Sequence, residues 1–448
     1  MPLLKKRNVK NAGHVGRANI KIDGEGTQEL SGNDAGGQLS HNEFASTVKQ
    51  SHTRDVRNQK IFIMGVILVA LYAFALVVPK DIVPTILNRA DNGYTLSWFI
   101  LSLQNNLNGL LAVFTGQEVS TIPYENTMIR YIMICFTGAG MALSGAVYQG
   151  SFRNALVSPS TLGVMSGASL GLIVYVMFFY DSLSTEFVSS LGVGSSSTEA
   201  SGLTSFSPDA IFSYLMSTFG LAICSFVGCL FVAAIVLLVI HFSHGGTNAI
   251  FMIITGQVLG GIIGAVCNTV RYYYLTVDTY GEKATLLTDL MISSFYRNYT
   301  WLDLLCVGVP LIVTFLVVMH LRQNMMLLSL DSAEQRTMGV ETKRLMYTVL
   351  ILCTLLTAII ISFCGQIGFV GFMVPHLARR LVGPNFKYLL PASTVLGAIF
   401  VLAAYTLLMI TLGASYETMV GMFISIGGAA VFLVTALKGG GAVRGQFR

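Results

Sequence analysis

Apolar positions along this chain come in long unbroken blocks, with neither the alternation of a half-buried strand nor the one-sided stripe of a surface helix. Nine blocks, at 61–79, 131–148, 162–180, 221–242, 249–266, 301–321, 345–364, 389–412 and 419–437, approach the about 20 residues that a helix needs to cross a bilayer. A tenth, 367–381, holds roughly 13 apolar residues, too few for an ordinary crossing. It is punctuated by Gly368 and Gly371, carries Pro375 and His376, and closes on a basic turn with Arg379, Arg380 and Lys387. This block predicts something other than a simple lipid-facing helix.

Composition supports the membrane reading. Of the 448 residues 53% are hydrophobic and only 11% charged, against about 25% charged in soluble domains. The Lys and Arg positions then decide the count of spans, because they accumulate in cytoplasmic segments. With ten spans and both termini inside, the 27 Lys and Arg fall largely inside; only Lys80, Arg89, Arg130, Arg271, Lys283 and Arg297 fall outside. Omitting the short block would put Arg379, Arg380 and Lys387 outside. Ten spans is the better count.

The segments between the blocks are small. Residues 1–60 are polar and read as a cytoplasmic tail, expected to be disordered; residues 61–448 form the membrane domain. Residues 94–116 interleave Leu with Gln and Asn and predict an outside helix lying on the interface. Residues 181–209 are rich in Ser and Gly, acidic, and without Lys or Arg. No loop is large enough for an enzyme domain. No P-loop, HExxH or nucleophile-elbow pattern occurs, and no catalytic residue is assigned. The seven cysteines all lie in apolar blocks or, for Cys267, directly at the end of one, without metal-ligand spacing, and the seven histidines are scattered, so no metal site is assigned. A lone His376 reads as structural.

No Asp, Glu, Lys or Arg stands near the middle of a block. Ion-driven carriers usually keep such a group at the midplane, so energy is expected from a partner. Small residues at helical spacing, including Gly138, Gly145, Gly163, Gly167, Gly256 and Gly260, predict close helix packing. Inside, residues 327–340 read as a short helix: Asp331 or Ser332 caps it, Glu334 falls in the first turn, and Gly339 ends it.

That inside segment, Leu-Leu-Ser-Leu-Asp-Ser-Ala-Glu-Gln-Arg-Thr-Met-Gly-Val, resembles the corresponding loop of the FecCD family, permease subunits of ABC importers for iron–siderophores, haem and vitamin B12. Two further stretches are similar to that family in the right order: Gly138-Ala-Gly-Met-Ala-Leu-Ser-Gly145 continuing through Gln149, and Gly368-Phe-Val-Gly-Phe-Met-Val-Pro-His-Leu-Ala-Arg379. The resemblance covers about residues 130–437. It implies an all-α, polytopic membrane protein of about ten transmembrane helices, with the BtuC-like fold of type II ABC importers.

It also implies roles and partners. Residues 322–344 become the cytoplasmic coupling loop, with ATPase contacts at Asp331, Ser332, Ala333, Glu334, Arg336, Met338 and Gly339. Arg130 becomes a docking residue for an extracytoplasmic substrate-binding lipoprotein. Ser144, Gly145, Gln149, Gly368, Gly371 and Pro375 become a gate and packing motif. A second permease subunit completes a dimer, and ATP with Mg belongs to a separate ATPase, so this chain binds no cofactor and is no enzyme. No nucleic acid partner is implied. The location is the bacterial cytoplasmic membrane, multi-pass, with both termini cytoplasmic. The cargo is a ferric siderophore, with haem or cobalamin as the alternative, and an ATPase-independent carrier or channel as the rival class.

The chain departs from the family pattern at Tyr405 and Met409, where an Asp and an Arg are usual, and at Met419 and Ala430, where prolines are usual. The coupling loop is untouched by these changes.

Overall fold

The computed structural model describes residues 41–77, 124–179, 208–242, 249–277, 299–328, 342–412 and 419–438, with isolated positions at 104, 108, 283, 287, 288, 291 and 295. The chain divides into two units, Met1–Val56 and Arg57–Arg448. The packing described below belongs to the second. Among the described residues the elements are helices: α1 (His41–Val77), α2 (Tyr124–Ser151), α3 (Val164–Phe179), α4 (Pro208–Phe242), α5 (Ala249–Val277), α6 (Trp301–His320), α7 (Arg322–Leu327), α8 (Thr342–Cys364), α9 (Val370–Val382), α10 (Phe386–Thr411) and α11 (Val420–Lys438).

Seven of these are long and apolar enough to cross a membrane: α1, α2, α4, α5, α6, α8 and α10. Two shorter apolar helices, α3 and α11, and the 13-residue α9 complete a correspondence with all ten apolar blocks. Among the described residues the fold is all-α and polytopic, with about ten apolar helices.

The boundaries differ from the sequence expectation in three places. Helix α1 starts at His41, so residues 41–60 are helical where a disordered tail is expected. They contain neither Gly nor Pro, and a helix nucleated in the apolar block can propagate backwards through them. Helix α2 starts at Tyr124, which puts Arg130 inside the helix instead of ahead of it. The inside loop expected over 322–344 opens with the short helix α7 and is shortened at its far end by α8, which begins at Thr342. The expected outside helix at 94–116 falls outside the described residues apart from helical positions at Gln104 and Asn108. Residues 1–40 fall outside them too.

Helix α2 is the axle of the membrane unit. In its apolar stretch 83% of residues are buried, against 17% in those of α1 and α5. Its glycines let neighbours touch backbone to backbone. Gly138 faces Gly397 of α10 reciprocally: a Cβ on Gly138 would lie 2.8 Å from the Gly397 carbonyl carbon, and one on Gly397 would lie 2.9 Å from that of Gly138. A second pair works the same way, Gly167 of α3 against Gly228 of α4. Lipid tails are as apolar as leucine, so such close van der Waals fits and polar contacts, more than burial, hold membrane helices together.

Candidate gate and coupling site

The short block forms a broken helix. Helix α8 ends on Gly365 in the left-handed region, φ 68°, whose N–H returns to the Ile361 carbonyl at 2.9 Å. The chain is then non-helical to Phe369, where α9 begins. Irregular backbone at membrane depth is tolerated where protein covers it, and the cover is present: Ile367 is buried, and the Gln366 amide donates to the Met165 carbonyl at 2.8 Å and to the Ser169 hydroxyl of α3. Phe369 holds φ 63°, an uncommon conformation for a bulky residue. Helix α9 closes at Gly383, φ 86°, and Asn385 caps α10 by accepting from the Lys387 N–H at 2.9 Å.

Pro375 explains how α9 meets α2. A proline has no N–H, so the Gly371 carbonyl, its normal partner one turn back, loses its helical donor. That carbonyl lies against Gly145: a Cβ there would sit 2.5 Å from the Gly371 carbonyl carbon. One turn further along α2, Gln149 Nε2 donates to the Phe372 carbonyl at 2.9 Å. Ser144 donates to the Cys353 carbonyl of α8 at 3.3 Å, and Tyr148 shares a 2.6 Å hydrogen bond with Thr354. Residues 144–149 thus fasten α2 to both arms of the broken hairpin.

Of the sequence-predicted gate residues, Ser144, Gly145, Gln149, Gly371 and Pro375 come together on this α2–α8–α9 surface. Gly368 turns the other way, where a Cβ would lie 2.9 Å from Ser425 Oγ of α11. Arg130 stands 19 residues up α2 from Gln149, about 28 Å at the helical rise; it is half-buried, with a shielded Nε. The coupling positions Asp331, Ser332, Ala333, Glu334, Arg336, Met338 and Gly339 lie outside the described residues.

One residue next to that loop was not singled out by sequence reasoning. Arg153, at φ 50° just past α2, donates from Nε to the Leu328 carbonyl at 2.5 Å. It links the linker after α2 to the last described residue before the expected coupling segment. The signal available was its isolation, as the lone cation between α2 and α3. Gln366 was also missed; a glutamine inside a short apolar block is the cue that its side chain must be satisfied by protein.

The departures at Tyr405 and Met409 are absorbed by packing, while Met419 is exposed. Tyr405 is fully buried, edge-on to Tyr131 at 5.7 Å and to Phe295 at 5.9 Å between ring centroids, and Met409 is buried beside it on α10. The His376 ring stands edge-on to Phe432 at 6.2 Å. Among the described residues no group of three or more His, Cys, Asp or Glu is placed to hold a metal ion.

Comparison with known proteins places this architecture. The chain is 29% identical over 341 residues to the molybdate import system permease MolB of Haemophilus influenzae, covering 74% of this chain and 87% of that protein. It is 28% identical over 304 residues to the cobalamin import system permease BtuC of Halobacterium salinarum, covering 68% and 70%. It is 26% identical over 311 residues to the hemin transport system permease HmuU of Yersinia pestis, covering 69% and 81%. A solved structure described as an inward-facing conformation of a transporter assigned to the metal-chelate ABC type shares the fold, with a TM-score of 0.59, 24% identity and coverage of 85% of this chain and 99% of that one. The profile of the FecCD transport family matches residues 93–438, and the chain belongs to that family.

Proposed function

We propose that this permease carries a ferric siderophore across the bacterial cytoplasmic membrane, receiving it from an extracytoplasmic binding protein and moving it at the expense of ATP hydrolysed by a separate ATPase. The supporting observation is the broken α8–α9 hairpin gripped by Ser144, Gly145 and Gln149, a discontinuous element at membrane depth inside an importer-family permease. Elements of this kind line cavities or move between arrangements, since lipid does not tolerate irregular backbone.

The coupling segment at 331–339 receives the ATPase in this reading. Arg153 transmits its displacement to the end of α2 through Leu328, and α2 in turn holds the hairpin. Transmission requires that the ATPase grip the segment differently in its two nucleotide states, because equal contact in both shifts no equilibrium. Both termini are cytoplasmic, following the distribution of Lys and Arg.

Cargo is the open axis, since relatives are named for molybdate, cobalamin and hemin. Vesicles containing the permease, its ATPase and its binding protein should accumulate labelled ferric siderophore, with unlabelled siderophore competing and hemin, cobalamin and molybdate not. Uptake of one of those three in place of the siderophore would reassign the cargo.

A further inference from the structure

Five cations meet where α9 turns into α10. Arg379 and Arg380 lie in the last turn of α9, Lys387 in the first of α10, and Arg57 and Lys60 lie one turn apart on α1. Contacts hold Arg57, Lys60 and Lys387 at this turn, next in the chain to Arg379 and Arg380. Lys60 Nζ donates to the Leu381 carbonyl at 2.8 Å. The Arg57 guanidinium carbon and the Lys387 ammonium lie 5.4 and 5.7 Å from the centroid of the same ring, Tyr388. Arg57 Nη2 also covers Gly383, where a Cβ would lie 3.4 Å from it.

Charge and polar bonding are incomplete at this turn. Among the described residues no carboxylate pairs with any of the five, and Arg379 Nη1 is buried without a hydrogen-bond partner. Like charges gathered around one ring repel unless an anion joins them. Beside them the same elements show bare apolar side chains, Phe62 at 73% exposed, Ile63 at 47% and Leu381 at 43%. Cations bordered by exposed apolar surface mark headgroup level.

We propose that this turn is a docking site for an anionic phospholipid, with Arg57, Lys60, Arg380 and Lys387 around its phosphate and Phe62, Ile63 and Leu381 against its acyl chains. The apolar border selects lipid over an acidic protein surface, which would leave those three side chains uncovered. An occupied site ties α1 to the cytoplasmic end of the broken hairpin and makes the hairpin's mobility depend on membrane composition.

The test uses the full chain purified in detergent, titrated by native mass spectrometry with phosphatidylglycerol, phosphatidylcholine and glycerol 3-phosphate. Phosphatidylglycerol should be retained over phosphatidylcholine. Arg57→Gln with Lys387→Gln should weaken it about thirty-fold, at about five-fold per cation near an anionic headgroup. The charge-conserving pair Arg57→Lys and Lys387→Arg should stay within about two-fold, and melting in detergent should show that both forms are folded. Unchanged phosphatidylglycerol binding by the glutamine pair, equal retention of phosphatidylcholine, or equal binding of glycerol 3-phosphate would each overturn the proposal. So would loss of ATPase assembly with lipid retention intact, which would assign the turn to a protein surface.

Discussion

The Gln149 side chain donates to the backbone carbonyl of Phe372 at 2.9 Å, joining α2 to the short α9 across 223 residues of chain. The bond is only half of what a buried amide needs. Gln149 Oε1 is also buried and accepts no hydrogen bond, and an unsatisfied buried acceptor costs about 1–3 kcal/mol, at least as much as one such bond contributes. Gln149 therefore adds little net stability. Its bond ties α2 to the segment proposed to move, and its one side-chain oxygen, Oε1, is open to a donor in another arrangement.

Replacing Gln149 with Leu should accordingly leave melting in detergent within about 3 °C of the parent, since the lost bond and the relieved acceptor nearly cancel. ATP-driven uptake should fall several-fold. A large drop in melting temperature, with uptake per folded molecule unchanged, would make Gln149 a structural residue.

Gly145 should behave in the opposite way. Gly145→Val places a Cβ 2.5 Å from the Gly371 carbonyl carbon, and backbone cannot move aside as a flexible side chain does. Folded, monodisperse protein should be lost. Gly65→Ala in α1 meets no atom within 4 Å and should be neutral or gain up to about 1 kcal/mol from helix propensity. Size-exclusion profiles and melting of the two variants compare them directly.

Much of this was legible in the sequence because membrane helices write themselves as apolar blocks. All ten blocks became helices, and the count depended on placing Arg379, Arg380 and Lys387 inside. The short block announced something other than a simple lipid-facing helix, and the resemblance drew attention to Gly145 and Gln149. What the sequence could not show was partnership across hundreds of residues. Arg153 with Leu328, Gln366 with Ser169, and Lys60 with Leu381 depend on how helices are placed around α2, and no local pattern encodes that. The helical stretch at 41–60 was missed for another reason: polar composition resembles a tail, while the absence of Gly and Pro lets a helix run through it.

The coupling reading predicts separable activities. Glu334→Arg or Arg336→Glu should reduce transport by about 5- to 150-fold, the span of typical coupling energies, while ATPase hydrolysis continues. Arg153→Ala should act in the same direction, because it removes the bond to Leu328. Transport and hydrolysis are measured in the same vesicles. Equal rates for all three variants and the parent would move the docking segment elsewhere.

Arg130 is expected to meet an acidic group of the binding protein. Charge reversal, Arg130→Glu, should weaken binding-protein affinity about ten-fold at low salt and less at high salt, as screening shortens the reach of the charge. A loss of affinity independent of salt would make its half-buried side chain a packing element of α2.

The central claim, that this permease is driven by a partner's ATP hydrolysis, is tested most directly by uptake into vesicles holding the permease, its ATPase and its binding protein. Accumulation should require ATP and should stop when the ATPase's catalytic glutamate is replaced by glutamine. Accumulation that persists in that variant, powered by an ion gradient alone, would contradict the account.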